Sequence, residues 1–572
     1  MTDKPVRRHW RLLGVGLVGL LTVVTAVLAV QLGARNLGGV PHRDVVIDGR
    51  IPATMYVPGA VPGNSSTVDL PPSPPGGLPA VVLAHGHSAD RSMMNWLARR
   101  LADAGFVVVT FDFRGHGGNT DRHEIHGFEG RRADLTAVFE WAARQSYVDE
   151  RRIAVAGHSM GAAAVVDFAT HDTRPVATMA LGGSVASVEG GVTARNMLFL
   201  VAQGDPVLVR DEAVRTAEEV FGGDIDFGSE YGDIAAGSAV GLREIANSNH
   251  LSMLYAGQTA DLMADWMDRA AGPGAAPRTT DDDTRLLAVF YLVAAVGVLF
   301  GLGMLAGTVA GRRPDRRGAG WRALPLVLVA VVLPIPFLAW GDAGLLIGVE
   351  AGGALALLLG VAGVLLLAVR RLDPVRRWLT PTGPVPAYAA TASVAPPGAA
   401  PARVAPPEPA PEAVAPPAGP RPEAPTAGVR RLLLPVALAV GGLLLVLLPV
   451  GPTGHTLVPT PARIVIALLM ALIMLPFFHV VDDLLRAGSP LAASGWSLAA
   501  RVLILGAVMV GVGNAVLPGM LGLYLMVLAP FLILLELVVA GVYVASRDPR
   551  LTAPVQALAL GWLLATLSPV VW

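Results

Sequence analysis

Two long stretches of the chain, residues 285–370 and 431–572, are apolar and almost free of charged side chains. Residues 41–284 have an ordinary polar content, although only 15% of the whole chain is charged, against roughly 25% in a typical globular protein. A helix that crosses a bilayer needs about 20 consecutive apolar residues, and both stretches contain several such runs. The sequence therefore predicts membrane helices joined to one water-soluble domain.

Hydropathy predicts nine spans. The first, residues 12–32, follows a basic start and is long enough to remain as an anchor, with a cleaved signal peptide as the alternative. Three further spans fall within 285–370 and five within 431–572, at 285–310, 322–340, 343–369, 431–450, 461–479, 498–518, 520–545 and 553–571.

Glu536 lies inside a predicted span and is expected either to have a functional or pairing role, or to be protonated and bonded to a neighbouring helix.

Arginine pairs flank the apolar runs and predict the orientation of the chain. If residues 1–11 are cytoplasmic and the spans alternate, the loops that carry these pairs fall inside, as the positive-inside rule requires. Residues 41–271 then lie outside the cytoplasm. Residues 371–430, rich in proline and alanine, are predicted to form a disordered cytoplasmic linker. The chain is thus predicted to be a multi-pass protein of the cell membrane, in contact with the lipid bilayer.

The soluble region, residues 41–271, alternates short apolar runs with amphipathic stretches such as 93–104 and 132–143. Alternation of this kind predicts an α/β fold, a doubly wound and mainly parallel sheet with helices on both faces. The runs that resemble buried strands are 80–84, 107–111, 153–156, 177–181 and 197–201.

Composition excludes several classes of site and partner. The formal net charge of −1 provides no basic field for nucleic acid, so no such partner is expected. Cysteine is absent, which rules out disulfides and thiolate metal sites. No glycine-rich phosphate loop, zinc signature or coenzyme motif appears, and neither a metal nor another cofactor is predicted. The oligomeric state stays open.

The pentapeptide Gly157–Gly161, GHSMG, follows a predicted strand and precedes a predicted helix. In that context Gly-x-Ser-x-Gly is typical of a nucleophile elbow, in which a tight turn between glycines lifts the serine hydroxyl clear of the sheet. Ser159 is therefore the candidate nucleophile. The alternative is a glycine-rich helix start with Ser159 as its N-cap.

Residues 80–271 resemble the α/β-hydrolase family. The resemblance implies that the loop after the first buried strand supplies one oxyanion-hole amide, at His87, and that Met160 supplies the other. It further implies that Asp112 pairs with Arg114 in a turn that matches the family's Asp-x-Arg-Gly-x-Gly pattern. Structural support of the elbow is assigned to Gly157, Gly161, His85, Gly86, Asp112 and Arg114.

The acid and the base of the expected triad follow later strands. By the resemblance, Asp205 is the acid, although Ala202 stands where the family usually has glycine, and His250 is the base. The chain order Ser159, Asp205, His250 matches that of the family. Other candidates stay open: Asp211, Asp224 and Asp226 as the acid, and His171, His123 and His126 as the base.

These residues predict a serine hydrolase that cleaves carboxylic esters, lipid or acyl esters among them, through an acyl-enzyme. Serine peptidase, thioesterase and acyltransferase activities would use the same residues. A transporter or membrane scaffold, with the soluble domain as a binding module, is the alternative from another class. Only 46 positions separate Ser159 from Asp205, so a site without a large cap is expected.

Overall fold

The computed structural model describes the soluble region at residues 42–58, 75–124, 127–183 and 194–272, and the apolar region at residues 319–336, 346–380, 459–486, 489–513, 519–546 and 548–571, with short pieces elsewhere. The predicted spans 285–310 and 431–450 lie mostly outside the described residues, and so do residues 381–430 of the predicted linker. A short apolar helix, Leu20–Ala29, falls within the predicted span 12–32.

Eleven strands lie in the described part of the soluble region, which is called the sheet domain below. They are β1 His42–Ile47, β2 Ile51–Tyr56, β3 Val61–Pro62, β4 Val68–Asp69, β5 Leu78–Ala84, β6 Val107–Phe111, β7 Val148–His158, β8 Thr178–Leu181, β9 Met197–Ala202, β10 Glu230–Tyr231 and β11 Val240–Ile245. Nine of them form one sheet in the order β1-β2-β6-β5-β7-β8-β9-β11-β10, and β3 pairs with β4.

Six central strands pair in parallel: β6, β5, β7, β8, β9 and β11. At the two edges of the sheet β1, β2 and β10 pair antiparallel. Apolar runs such as Ala80–Ala84 are fully buried, as expected for parallel strands that are covered on both faces. The predicted α/β fold with a mainly parallel sheet is confirmed.

Helices cover both faces of the sheet. On one face Leu97 and Met263 pack in the same core as Leu83 of β5. On the other face Phe139 and Phe168 pack with ring centroids 5.6 Å apart. Each such side chain contributes about 1.5–3 kcal/mol by its burial. The helices of the sheet domain are α1 Asn95–Asp103, α2 Glu129–Ala143, α3 Met160–His171, α4 Val207–Phe221 and α5 Gly257–Ala271.

The apolar part of the chain, called the helical region below, contains α6 Leu324–Val332, α7 Ala351–Val369, α8 Asp373–Leu379, α9 Pro461–Leu485, α10 Pro490–Gly513, α11 Gly519–Ser546 and α12 Pro549–Leu567. Small residues allow close packing: a Cβ on Gly561 of α12 would lie 2.6 Å from the carbonyl oxygen of Ala467 in α9. Among the described residues, four segments are long and apolar enough to cross a membrane: Gly352–Val369, Pro461–Leu485, Ala492–Gly511 and Pro549–Leu567.

The helical region contacts the turn that follows β6. Val570, after α12, donates its N–H to the carbonyl oxygen of Gly115 and accepts from the N–H of His123, both at 2.9 Å. Arg463, near the start of α9, donates to the same Gly115 oxygen at 2.7 Å. Val349, before α7, forms an antiparallel bridge with Val570. Oε2 of Glu350, the residue before α7, lies 3.5 Å from Nε2 of His87 in the sheet domain. One end of each of α7, α9 and α12 therefore lies against the sheet domain.

Candidate active site

Ser159 lies on the turn between β7 and α3. Its backbone has φ 55° and ψ −115°, which is strained for a residue other than glycine. Two glycines permit this turn: a Cβ on Gly161 would lie 2.6 Å from the carbonyl oxygen of His85, and one on Gly157 would overlap the backbone of Gly161. The Ser159 side chain forms no capping hydrogen bond with α3. The geometry is that of an elbow and not of an N-cap.

His250 and Asp205 form a hydrogen-bonded pair beyond the ends of β11 and β9. Nδ1 of His250 lies 2.7 Å from Oδ1 of Asp205, and Oδ2 of Asp205 accepts from the N–H of Ala202, also at 2.7 Å. Only 3% of the His250 side chain and 0% of the Asp205 side chain are exposed. The carboxylate therefore orients the ring so that Nδ1 carries the hydrogen and Nε2 is left as the basic nitrogen.

Ser159 and His250 line one cavity, which is partly open to solvent. Tyr524 of α11 and Leu567 of α12 also line it, so the helical region covers the site. Sequence analysis missed this cover, because both residues are more than 350 positions away from Ser159 in the chain. The other lining residues are His87, Ser88, Ala89, Met93, His158 and Leu251.

His158, inside the elbow, contacts His250 directly. Its Nε2 lies 2.8 Å from the carbonyl oxygen of His250, and the two ring centroids are 4.7 Å apart. Burial lowers the pKa of His158 well below its ordinary value, so the ring is neutral and its Nε2–H donates to that carbonyl. Sequence analysis missed this positioning role, for which the only signal was the place of His158 within the elbow motif.

The two predicted oxyanion residues come from two segments near the nucleophile. Met160 is the first residue of α3, where backbone N–H groups have no acceptor within the helix. His87 lines the cavity in the loop after β5. In the same loop Nδ1 of His85 donates to the carbonyl of Gly86 at 2.7 Å. A Cβ on Gly86 would lie 3.2 Å from Cβ of Ser159, so this loop touches the elbow.

The predicted pairing of Asp112 with Arg114 is wrong. Oδ1 of Asp112 accepts from the N–H of Arg91 at 2.9 Å, and its Oδ2 pairs with the Arg91 guanidinium. Arg114 instead binds Asp134 of α2, with Nε and Nη2 each 3.1 Å from a carboxylate oxygen. Asp112 and Arg114 therefore each pair with an opposite charge on a different element. Burial, together with the neighbouring Asp90, raises the pKa of Asp112 to about 6.

The alternative acids and bases that the structure describes do not line the cavity. His171 is 54% exposed and lies beside Asp167 on the surface. His123 is buried, but its ring packs against His87, and His126 lies outside the described residues. The alternative acids are all exposed: Asp211, Asp224 and Asp226.

Three histidines pack together beside the cavity. The ring of His116 lies 5.0 Å from that of His123 and 5.8 Å from that of His87, centroid to centroid. Burial lowers the pKa of His87 to about 3 and that of His123 to about 4, and it lowers the pKa of His116 as well. All three rings are therefore neutral near neutral pH.

Comparison with known proteins agrees with this fold. Residues 78–219 match a family model described as Serine aminopeptidase, S33. An uncharacterized protein of Mycobacterium tuberculosis is 42% identical over 113 residues, which cover 20% of this chain and 38% of that protein. Cutinase 2 of Thermobifida cellulosilytica is 31% identical over 97 residues, 16% of this chain and 34% of that protein. The chain spans 28–38% of the length of the curated relatives it matches.

The fold and these matches together identify the sheet domain as an α/β-hydrolase domain. In this chain the domain is fused to a membrane region, in which four described segments are long and apolar enough to cross a bilayer.

Proposed function

We propose that the protein is a membrane-tethered serine hydrolase that cleaves carboxylic esters through an acyl-enzyme. One observation carries the proposal: Ser159, on its strained turn, and His250, paired with Asp205, line the same cavity. A serine hydroxyl is a poor nucleophile near neutral pH unless a base takes its proton, and an imidazole oriented by a carboxylate is suited to that task.

In the proposed reaction Oγ of Ser159 attacks the ester carbonyl while Nε2 of His250 takes the hydroxyl proton. The imidazolium then delivers that proton to the leaving alcohol, and a water molecule repeats the sequence to release the acid. Asp205 stabilises the charged ring. The amides of His87 and Met160 would bind the oxyanion, and loss of one such donor costs about 2.7–4 kcal/mol in a well-studied serine hydrolase.

The cavity walls favour an apolar acyl group as the substrate. Met93, Leu251 and Leu567 contribute aliphatic surface. None of the described lining residues is acidic, so a peptide's α-amino group would have no carboxylate partner there. The similarity to a protein named a cutinase supports the same choice. A serine peptidase is the second candidate, because the matching family model is described as an aminopeptidase.

We further propose that the sheet domain lies outside the cytoplasm. The start of α7, the start of α9 and the end of α12 all contact this domain, so these three helix ends would share one side of the bilayer. The positive-inside rule supports a cytoplasmic position for the opposite helix ends. Those ends carry Arg370, Arg371, Arg376, Arg377, Arg486 and Arg550.

Protease added to intact cells tests this orientation. Cleavage is expected within the sheet domain, with the linker 371–430 protected until the membrane is opened by detergent. The reverse pattern of protection would show that the orientation is inverted.

A fluorophosphonate probe, which reacts with activated serines, tests the enzymatic proposal on the full-length protein in membranes. Ser159→Ala should lose the label, and its hydrolysis of p-nitrophenyl esters should fall by at least about a thousandfold. Ser238→Ala is the control and should label like wild type, because Ser238 bonds with Asp233 and neither residue lines the cavity. Equal labelling of Ser159→Ala, or none of wild type, would favour the transporter or scaffold alternative.

A further inference from the structure

Three side chains from distant parts of the chain converge where the sheet domain meets the helical region. His87 follows β5, His123 follows β6, and Glu350 immediately precedes α7. Nε2 of His87 lies 3.5 Å from Oε2 of Glu350, and Nε2 of His123 lies 3.6 Å from the same oxygen. One atom from each of the three lies within 4.8 Å of the others.

These separations suit a shared metal ion better than direct hydrogen bonds. An N–H···O bond places its heavy atoms about 2.7–3.2 Å apart, which is shorter than either distance to Glu350. Zinc binds histidine nitrogen and carboxylate oxygen at about 2.0–2.2 Å, so two ligands of a tetrahedral ion lie about 3.3–3.5 Å from each other. The distances from Glu350 to both imidazoles are close to this range.

The burial of His87 is a second and independent observation. Its side chain is 8% exposed, and within the described structure its Nε2 has no hydrogen-bond partner. A buried polar nitrogen left in this state costs about 1–3 kcal/mol, unless another group satisfies it. The neighbouring His123 side chain is 2% exposed. Both imidazoles are therefore buried, and the Nε2 atom of each lies within 3.6 Å of the Glu350 carboxylate.

We propose that His87, His123 and Glu350 bind one divalent transition-metal ion, with Zn²⁺ as the best match. Two imidazoles and one carboxylate are a ligand set that zinc accepts, whereas Mg²⁺ and Ca²⁺ prefer oxygen ligands alone. A fourth position is left for water. No local sequence motif indicates this site, because the ligands come from three segments that only the fold brings together.

The ion would connect the loop after β5, which carries His87, to Glu350, the residue immediately before α7. Binding of the metal is independent of the group that Ser159 attacks, so the site can be tested whether or not the proposed ester hydrolysis is correct. The expected role is positioning: the ion fixes the loop that carries His87 against the helical region.

Metal content of the full-length protein in detergent provides the test. After chelator treatment and dialysis against Zn²⁺, wild type is expected to hold one equivalent of zinc, measured by mass spectrometry of the metal. Glu350→Gln and His123→Ala should each weaken binding by about 100-fold or more, as expected when a ligand is lost. His171→Ala, at an exposed histidine, is the matched control and should retain the metal.

Size-exclusion chromatography and thermal unfolding show whether each variant remains folded. Glu350→Gln is the more conservative of the two changes, because a glutamine side chain has nearly the same shape as a glutamate side chain. Replacement of zinc by Co²⁺ adds a spectroscopic test, because visible absorption of tetrahedral Co²⁺ is expected in wild type and His171→Ala and should be absent in Glu350→Gln. A wild-type protein that binds no stoichiometric zinc would overturn the proposal. So would a folded Glu350→Gln protein with undiminished zinc affinity.

Discussion

Asp205 engages both of its carboxylate oxygens, and the proposed base depends on this arrangement. One oxygen meets Nδ1 of His250, and the other accepts from the backbone N–H of Ala202. An amide at this position would have to turn its NH₂ group toward one of these two donors. A carboxylate can accept from both.

Asp205→Asn is expected to lower kcat for ester hydrolysis by about 10⁴, as for the equivalent change in a well-studied protease. With the amide oxygen on Ala202, the NH₂ group faces Nδ1 of His250, and the ring hydrogen moves to Nε2, which can then no longer take a proton. Hydrolysis of a p-nitrophenyl ester by the full-length protein measures the effect. Asp211→Asn, on the exposed side of α4, should leave the rate unchanged; the opposite result would move the acid role to Asp211.

The stability of the protein is expected to fall as the pH drops below the ordinary histidine pKa of 6.5, in part because of His158. Burial lowers the pKa of His158 in the folded state, so below 6.5 the unfolded chain binds a proton that the folded protein does not. One such group changes the free energy of unfolding by at most about 1.4 kcal/mol per pH unit.

Thermal unfolding in detergent at several pH values between about 7.5 and about 5 measures this dependence. In His158→Gln, which keeps an N–H donor for the His250 carbonyl but does not titrate, the decline should be shallower. Identical slopes in the two proteins would show that His158 does not contribute.

Residues of the candidate site could be predicted where the signal was a local motif, as for Ser159, or the chain order of the α/β-hydrolase family, as for Asp205 and His250. Ser159 is in a five-residue motif, and the elements around it predict the elbow. The role of His158 depends on His250, 92 positions away, and no local pattern encodes that contact. The error over Asp112 and Arg114 has the same origin, because the family resemblance implied a pairing within one turn, whereas the fold brings Arg91 and Asp134 from other elements as their partners.

At the scale of elements, the buried strands were the most predictable, since continuous apolar runs such as β6 have little alternative to a sheet interior. The hairpin of β1 and β2 was missed although its signal is present. Asp48, Gly49 and Arg50 connect the two strands, and Asp48 and Gly49 have φ 51° and 69°, positive values that Asp and Gly adopt readily in tight hairpin turns. Strand β10 has two residues, too few for any periodicity. The cover from α11 and α12 is tertiary and leaves no pattern in either helix.

Leu567→Ala is expected to shift the substrate preference toward longer acyl chains, by about tenfold in relative kcat/KM. The change enlarges one wall of the cavity, and space for one further methylene is worth about 1–3 kcal/mol in an apolar pocket. A series of p-nitrophenyl esters of increasing chain length measures it. Leu558→Ala, at a 50% exposed position of the same helix, is the control. An unchanged preference in Leu567→Ala would exclude this wall from acyl binding.

At the scale of the whole molecule, a buried network of charged and polar side chains joins four helices of the helical region. Glu536 of α11 accepts from both terminal nitrogens of Arg486, at 3.0 and 2.9 Å, and also pairs with Arg501 of α10. Asp482 of α9 pairs with Arg486 and accepts from Gln556 of α12 at 2.6 Å. Of the two alternatives for Glu536, the structure favours pairing with neighbouring charges. Two cations and two anions balance, so the network can be buried.

Glu536→Gln is expected to destabilise the helical region by about 3–5 kcal/mol, because it leaves two buried guanidinium groups with one carboxylate. The measurements are the apparent melting temperature and the yield of monodisperse protein in detergent. Asp373→Asn removes a carboxylate that is 68% exposed and should leave both unchanged. Equal stability of the two variants would mean that the network contributes little.

The cover of the cavity by Leu567 has a consequence for biosynthesis. Ser159 leaves the ribosome about 400 residues before Leu567, a delay of about 20–80 s at ordinary rates of translation. During that interval the sheet domain can fold, but the walls from α11 and α12 do not yet exist. The cavity is therefore completed only after helix α12 has been synthesised, so under the proposed function selective hydrolysis would begin only once α12 has packed against the sheet domain.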